Sequence, residues 1–340
     1  MSNTTLSADR RTLADPLAAQ EARSPTVAVL IPCYNEGVSI GKVVTDFRTA
    51  LPGATIYVYD NNSTDGTIDK ARAAGAVVRL ETQQGKGHVV RRMFADVEAD
   101  IYLLVDGDDT YDATAAPDMV RMLLEQQLDM VVAIRVSDEQ AAYRSGHRLG
   151  NAIFTGIVRH VFGKRISDTL SGYRAFSRRF AKSFPTLTAT GFDVEAGFSI
   201  HALELRLPIG ELSTAYRARP EGSVSKLRTY TDGLHILGEI FLLFRDERPL
   251  QFFGIAGLAL LAVGLGVGIP VVLGFIQTGL VPRLPTAILA TGLVLLAFLS
   301  FGCGLVLDSV ARGRKESKRL AYLAIPGLFA QDSRAGASRR

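Results

Sequence analysis

IYLLVDGDDT, residues 101–110, is a five-residue apolar run that ends in three carboxylates, Asp106, Asp108 and Asp109. An unbroken apolar run of this length, closed by turn residues, reads as a strand buried on both faces. Four similar runs surround it: VAVLI (27–31), TIYVY (55–59), AVVRL (76–80) and MVVAI (130–134). Between the first two, Ile40, Val43, Val44, Phe47 and Leu51 recur at helical spacing, and similar patterns occupy 66–74, 86–98 and 114–127. Strands alternating with helices predict an α/β domain whose mainly parallel sheet is covered by helices on both faces. In such sheets ligands bind beyond the C-terminal ends of the strands, so the residues that follow each run are the ones to examine.

Three polar clusters occupy those positions: Pro32-Cys33-Tyr34-Asn35-Glu36, then Asp60-Asn61-Asn62-Ser63-Thr64-Asp65-Gly66-Thr67, then Asp106-Gly107-Asp108-Asp109-Thr110. Two carboxylates spaced Asp-x-Asp on extended chain can reach one hard cation, Mg²⁺ or Mn²⁺, which in turn holds substrate phosphates. Such a cation neutralises charge developing on a leaving nucleotide. Asp106 and Asp108 are therefore the candidate metal ligands. Tyr34 is placed to lie against a base, Asp60 to accept from a ring N–H, and Lys86, in Gly85-Lys86-Gly87, to offset phosphate charge. Asp65 or Ser63 is expected to cap the helix that follows. Neither a Gly-x-Gly-x-x-Gly turn nor a Gly-Lys-Ser/Thr loop follows any strand, which argues against a dinucleotide site of the usual kind and against a P-loop.

The chain has 340 residues, 47% of them hydrophobic, with a net charge of +4, and the apolar excess lies near the C-terminus. Residues 252–276 and 286–307 contain no charged side chain and are long enough to cross a bilayer. Arg245 and Arg248 precede the first, Arg312, Arg314, Lys315, Lys318 and Arg319 follow the second, and only Arg283 lies between them. By the positive-inside rule, both ends of this hairpin and the N-terminal region face the cytoplasm. Residues 1–24 are polar and read as a tail without a secretory signal. Residues 228–248 place Leu234, Leu237, Ile240, Phe241 and Phe244 on one helical face, as an interfacial helix or one packed on the domain would. The expected organisation is a tail (1–24), a catalytic domain (25–227), a juxtamembrane helix (228–248), a two-helix hairpin (249–308) and a basic tail (309–340). Cys33 and Cys303 are too far apart in the pattern to suggest a disulfide or a metal site, and no basic and aromatic interleaving suggests nucleic acid.

The Pro-x-Tyr-Asn-Glu opening, the Asp60–Thr67 loop, Gly85-Lys86-Gly87 and Asp106-Gly107-Asp108-Asp109 resemble family 2 glycosyltransferases of the GT-A fold. Arg135, His147-Arg148-Leu149-Gly150-Asn151, Asp168-Thr169-Leu170-Ser171-Gly172-Tyr173-Arg174, Gly191-Phe192-Asp193-Val194-Glu195 and Arg219-Pro220-Glu221-Gly222-Ser223-Val224-Ser225-Lys226 narrow this to the branch acting on polyprenyl phosphates. That resemblance implies Asp106 and Asp108 at the metal. It implies Pro32, Tyr34, Glu36, Asp60, Asn61, Lys86 and Gly107 around the nucleotide, and Arg135, Arg148, Asn151, Arg219 and Lys226 around the acceptor phosphate. Arg135 and Arg148 are also expected to act in catalysis. Many relatives carry a second aspartate where this chain has Asn61.

The expected reaction is an inverting transfer of one sugar from a nucleotide sugar, UDP- in preference to GDP-, to the phosphate of a polyprenyl lipid at the cytoplasmic membrane. Asp193 and Glu195 can be read as a general base or as residues that order the acceptor. An inactive sugar-nucleotide-binding scaffold is disfavoured by the intact carboxylates and cations. A processive synthase is disfavoured by the absence of tryptophan, which its Gln-x-x-Arg-Trp motif requires, and by having two apolar spans. Monomer and homo-oligomer are both compatible with the pattern.

Overall fold

The computed structural model describes residues 24–136, 166–185, 194–220, 241–242 and 244–327. Five strands follow the apolar runs: β1 (Val27–Cys33), β2 (Thr55–Asp60), β3 (Val77–Leu80), β4 (Ile101–Leu104) and β5 (Met130–Val136). Between them lie α1 (Ile40–Ala50), α2 (Thr67–Ala73), α3 (Lys86–Asp96) and α4 (Ala116–Glu125). Two further strands, β6 (Arg174–Ser177) and β7 (Ile209–Ala215), flank α5 (Arg178–Ser183) and α6 (Val194–Leu205).

The seven strands are ordered β3-β2-β1-β4-β6-β5-β7. All pairs are parallel except those of β6, which runs antiparallel to both β4 and β5. Strand alternation divides the core in two. Val29, Ile31 and Cys33 point to α1, α2 and α4, whereas Ala28 and Leu30 point to α3, α5 and α6. The register pairs Cys33 with Asp60, so the first two polar clusters leave the sheet side by side.

At the C-terminal end, α7 (Pro249–Thr278) and α8 (Leu284–Leu323) form a hairpin turned at Gly279. Apart from Pro249 at its start, its buried positions are small and seven residues apart: Gly257 and Gly264 on α7, and Ala290, Ala297, Gly304 and Ala311 on α8. This spacing lets the two backbones approach closely, and a Cβ on Gly257 would stand 3.1 Å from the Ala297 carbonyl. The outer faces expose large apolar side chains such as Ile255, Ile276, Phe298 and Leu299. A soluble core helix would hide them, so these two helices suit a hydrocarbon surround. The juxtamembrane helix is described only from Phe241 onward, where Phe241 and Phe244 pack edge-on against Phe252 of α7. Helix α8 continues well past the apolar run, over residues for which hydropathy suggests a separate basic tail.

Candidate active site

Three loops meet at the C-terminal edge of β1, β2 and β4, and each contains a non-glycine residue with positive φ: Asn35 (51°), Asn62 (67°) and Asp109 (60°). Asn and Asp tolerate this region because their short polar side chains bond locally. The first two loops are knit together. Ser63 Oγ accepts from the Asn35 amide at 2.8 Å, Thr67 Oγ1 from the Glu36 amide at 2.9 Å, and Asp65 Oδ2 from the Gly37 amide at 2.8 Å. Neither of the two expected residues is the N-cap of α2, which is Gly66, but Asp65 just ahead of it accepts from the Thr67 amide at 3.2 Å.

Asp60 is fully buried at the end of β2. Its Oδ2 accepts from the Ser63 amide at 2.9 Å, but its Oδ1 has no hydrogen-bond partner. A buried carboxylate oxygen left without a donor is costly, and its natural complement is a ligand N–H. Asn61 is different. Its amide donates to the carbonyls of Glu81 and Gln83, both at 2.8 Å, and its Oδ1 accepts from the Gly85 amide at 2.7 Å. The Asn61 side chain is therefore spent on shaping the loop that leads to Lys86. An aspartate could not donate to those carbonyls, which accounts for the asparagine at this position.

Gly107 lets the third loop fold against the first, since a Cβ there would lie 2.8 Å from Cys33 Sγ, and Ser39 Oγ donates to its carbonyl at 2.7 Å. Asp106 and Asp108 are close enough for the charge of one to raise the pKa of the other. Asp108 Oδ1 accepts from Thr110 Oγ1 at 2.6 Å, and its Oδ2 faces Arg219 at 2.8 Å. Burial, then the neighbouring Asp106, push its carboxyl above the usual range. Asp106 Oδ1 accepts from Lys86 Nζ at 2.5 Å, and Lys86 also pairs with the buried Glu195 on the first turn of α6. Burial alone would depress the Lys86 ammonium, and the two carboxylates more than reverse this. Gly172 brings its backbone against Asp106, where a Cβ would stand 2.4 Å from Oδ2.

Arg135, at the end of β5, forks onto Asp168 through Nε (2.7 Å) and a terminal nitrogen (2.8 Å), and its guanidinium lies over Tyr216. Against the effect of burial, this fork holds Asp168 below the usual carboxylate range. Arg174 is wholly buried and ties the same loop down, donating to the carbonyls of Thr169 and Ser171 and to Ser199 Oγ.

The geometry thus brings Asp106, Asp108, Lys86 and Arg219 to one sheet edge with Glu195. Pro32 and Asp60 lie at the ends of β1 and β2, Tyr34 and Glu36 on the loop after β1, and Arg135 is nearby through Tyr216. Arg148, Asn151, Lys226 and Asp193 lie outside the described residues. Asp168 and Arg174 stand inside a quoted motif, but nothing in their spacing tells an anchor from a ligand. Glu195 enters through its pairing with Lys86, a contact across 109 positions that sequence spacing cannot reveal.

Among the described residues no three His, Cys, Asp or Glu side chains cluster to hold a cation by themselves. Asp106 and Asp108 instead offer two carboxylates, each now balanced by a protein cation. That donor set fits a divalent ion whose remaining ligands are diphosphate oxygens and water.

Comparison with known proteins bears on the family and the fold. The family model for glycosyl transferase family 2 matches residues 28–184. Glycosyltransferase AglJ of Haloferax volcanii is 36% identical over 245 residues, which are 72% of this chain and 80% of that one. A dolichyl-phosphate hexose transferase of the same organism is 27% identical over 222 residues, 65% of this chain and 95% of its own. Among solved structures, glucosyl-3-phosphoglycerate synthase of Mycobacterium tuberculosis, in complex with Mn²⁺ and UDP-glucose, superposes with a TM-score of 0.54. At 24% identity, covering 65% of this chain and 78% of that one, it shares the fold. The chain belongs to glycosyltransferase family 2 and carries its GT-A domain ahead of an apolar helical hairpin.

Proposed function

We propose that this enzyme transfers a single sugar, with inversion, from a nucleotide sugar to the phosphate of a polyprenyl lipid such as undecaprenyl phosphate at the cytoplasmic face of a membrane. The observation that carries the reading is the pairing of Asp106 with Lys86 and of Asp108 with Arg219 at the ligand edge of the sheet. Two carboxylates and two exchangeable cations are what a diphosphate leaving group and an anionic acceptor need.

The unpartnered Asp60 Oδ1 supports a base that offers a ring N–H, and UDP is preferred by analogy with the UDP-glucose complex of the structural relative. The dolichyl-phosphate hexose transferase and the hairpin support a lipid phosphate as acceptor. Asp106 and Asp108 hold Mg²⁺ or Mn²⁺, which when bound supplies charge neutralisation for the departing diphosphate. Pro32, Tyr34, Glu36 and Gly107 frame the nucleotide. Lys86 turns from Asp106 toward the phosphates, while Glu195 keeps its ammonium within reach. Arg135, Arg148, Asn151, Arg219 and Lys226 gather the acceptor phosphate. That phosphate is already anionic, so in-line attack on the anomeric carbon needs orientation and charge balance more than a strong general base. Glu195 is therefore read as a positioning residue for Lys86.

The direct test is to incubate the purified full-length protein with Mg²⁺ or Mn²⁺, undecaprenyl phosphate and a panel of UDP- and GDP-sugars, with products read by lipid mass spectrometry. A lipid that gains one sugar through one phosphate supports the reading and names the donor. Tight nucleotide binding with no lipid product refutes the acceptor.

A further inference from the structure

The apolar run of α8 ends at Leu307, yet the helix continues to Leu323 and lies on the catalytic domain. A solvated basic tail just beyond a membrane span would be drawn to anionic headgroups. Here its charges are used by the protein. Lys318 Nζ pairs with Glu204 Oε2 at 2.5 Å, and Lys315 Nζ with Glu247 Oε2 at 3.1 Å. Arg314 donates to the Asp246 carbonyl at 2.7 Å. One turn past Lys318, the Tyr322 hydroxyl donates to Asp129 Oδ2 at 2.7 Å, and its ring lies 4.8 Å below the Arg179 guanidinium.

These contacts reach three separate parts of the molecule: the last turn of α6 (Glu204), the segment entering α7 (Asp246 and Glu247), and the residue ahead of β5 (Asp129). The three receiving carboxylates are buried, the side chains of Glu204 and Asp129 being 1% exposed and that of Glu247 8%. Asp129 is itself fixed by Ser177 Oγ at 2.6 Å. Helix α6 joins this junction to the site, because Glu204 is in its last turn and Glu195 in its first, about 14 Å away at the rise of an α-helix.

We propose that residues 311–323 of α8 are a positioning strut: by clamping Glu204, Glu247 and Asp129 they fix the catalytic domain on the hairpin, so that an acceptor phosphate confined to the bilayer meets the site in one geometry. The strut rests on the acceptor reading above for the identity of the substrate. Its physical basis is orientation. A domain held to the membrane only through a linker tilts and rises freely, whereas one held by a helix continuous with the span presents its site at a fixed distance from the headgroups.

The experiment uses full-length protein in lipid nanodiscs, comparing wild type with Lys318→Glu, Tyr322→Phe and the charge swap Glu204→Lys/Lys318→Glu. Three quantities are read: transfer to bilayer-embedded undecaprenyl phosphate, transfer to a short water-soluble prenyl phosphate, and hydrogen exchange of the 312–323 amides. Lys318→Glu should lower transfer to the embedded acceptor about tenfold, and Tyr322→Phe about threefold, while transfer to the soluble acceptor and donor KM stay within about twofold. Faster exchange over 312–323 should accompany the loss, and the charge swap should restore both. Equal loss on the two acceptors, or no loss on either, overturns the strut. If wild type transfers nothing to lipid, the acceptor reading fails on its own. Exchange over 312–323 then still decides: protection unchanged in Lys318→Glu refutes the docking, and protection lost supports it.

Discussion

Two clusters of carboxylates, each balanced by two cations, lie toward opposite ends of α6. Near its first turn, Asp106, Asp108 and Glu195 face Lys86 and Arg219. Near its last turn, Glu204 and Glu247 face Lys315 and Lys318. The charges match in kind but not in setting. The cations of the two clusters are alike, Arg219 and Lys315 each being about a third exposed, but the side chain of Asp106 is 30% exposed whereas that of Glu204 is 1% exposed. An ion pair open to solvent can exchange one partner for a ligand at little cost, while a dry pair leaves an uncompensated charge when either member departs. The first arrangement suits binding and release of phosphates. The second suits a permanent joint.

Substitutions test that contrast, beginning with the open cluster. Asp108→Ala removes a proposed metal ligand and the ion pair it makes with Arg219. Turnover should fall about a thousandfold or more, and chelation of divalent cations should bring wild type to the same level. Unaltered turnover in this variant would sink the site assignment. Lys86→Met keeps the length of the side chain and removes its charge, so kcat should drop about a hundredfold with the fold intact by circular dichroism. Asp168→Asn leaves Arg135 in place with a weakened fork, and a loss of about tenfold in kcat/KM for the acceptor is expected, with donor KM unchanged. An equal rise in donor KM would move Arg135 to the nucleotide side.

The dry cluster should show its effect as pH dependence. Burial, then the hydrogen bond and charge of Glu247, push the Glu204 carboxyl up to about 7, with Lys315 and Lys318 opposing and the neutral His201 nearby on the same helix. A carboxyl whose pKa is raised by folding contributes stability in its protonated form. That contribution is full below the unfolded value near 4.5 and is lost as pH rises through about 7. Glu247 has the opposite sign. Despite burial, the hydrogen bond from Glu204 and the charge of Lys315 hold its carboxylate below the usual range. The pair therefore shares one proton, and the stability of the fold, read as protection of its slowest-exchanging amides, should fall on raising pH from 6 to 8. Glu204→Gln retains a donor toward Glu247 and should flatten that step. This is the smallest effect foreseen, readable by hydrogen exchange, and an unchanged slope would remove Glu204 as its origin.

Much of the nucleotide half was legible in the chain. Each of its strands is a short apolar run, each helix has one apolar face, and the polar clusters fall where a parallel sheet exposes its ligand edge. The other half hid its structure for definite reasons. β6 is four residues long and begins with Arg174, a residue that reads as surface and is wholly buried. Ten of the twelve residues of α6 are buried, Glu195, His201 and Glu204 among them, so no amphipathic stripe marks it. Asn61 reads as a nucleotide contact because it follows Asp60, but its side chain is used up by three bonds to the neighbouring loop.

Local pattern therefore determined the α/β class, the family, the Asp106–Asp108 pair and the two apolar spans, because hydrophobic periodicity and adjacent carboxylates act over a few residues. Only the folded chain decided which cation faces which carboxylate, that Glu195 stands behind Lys86, and that the basic end of α8 is a docked helix. Those pairings join residues from 20 to 193 positions apart. Their energies depend on burial, a property no side chain has until the rest of the protein surrounds it.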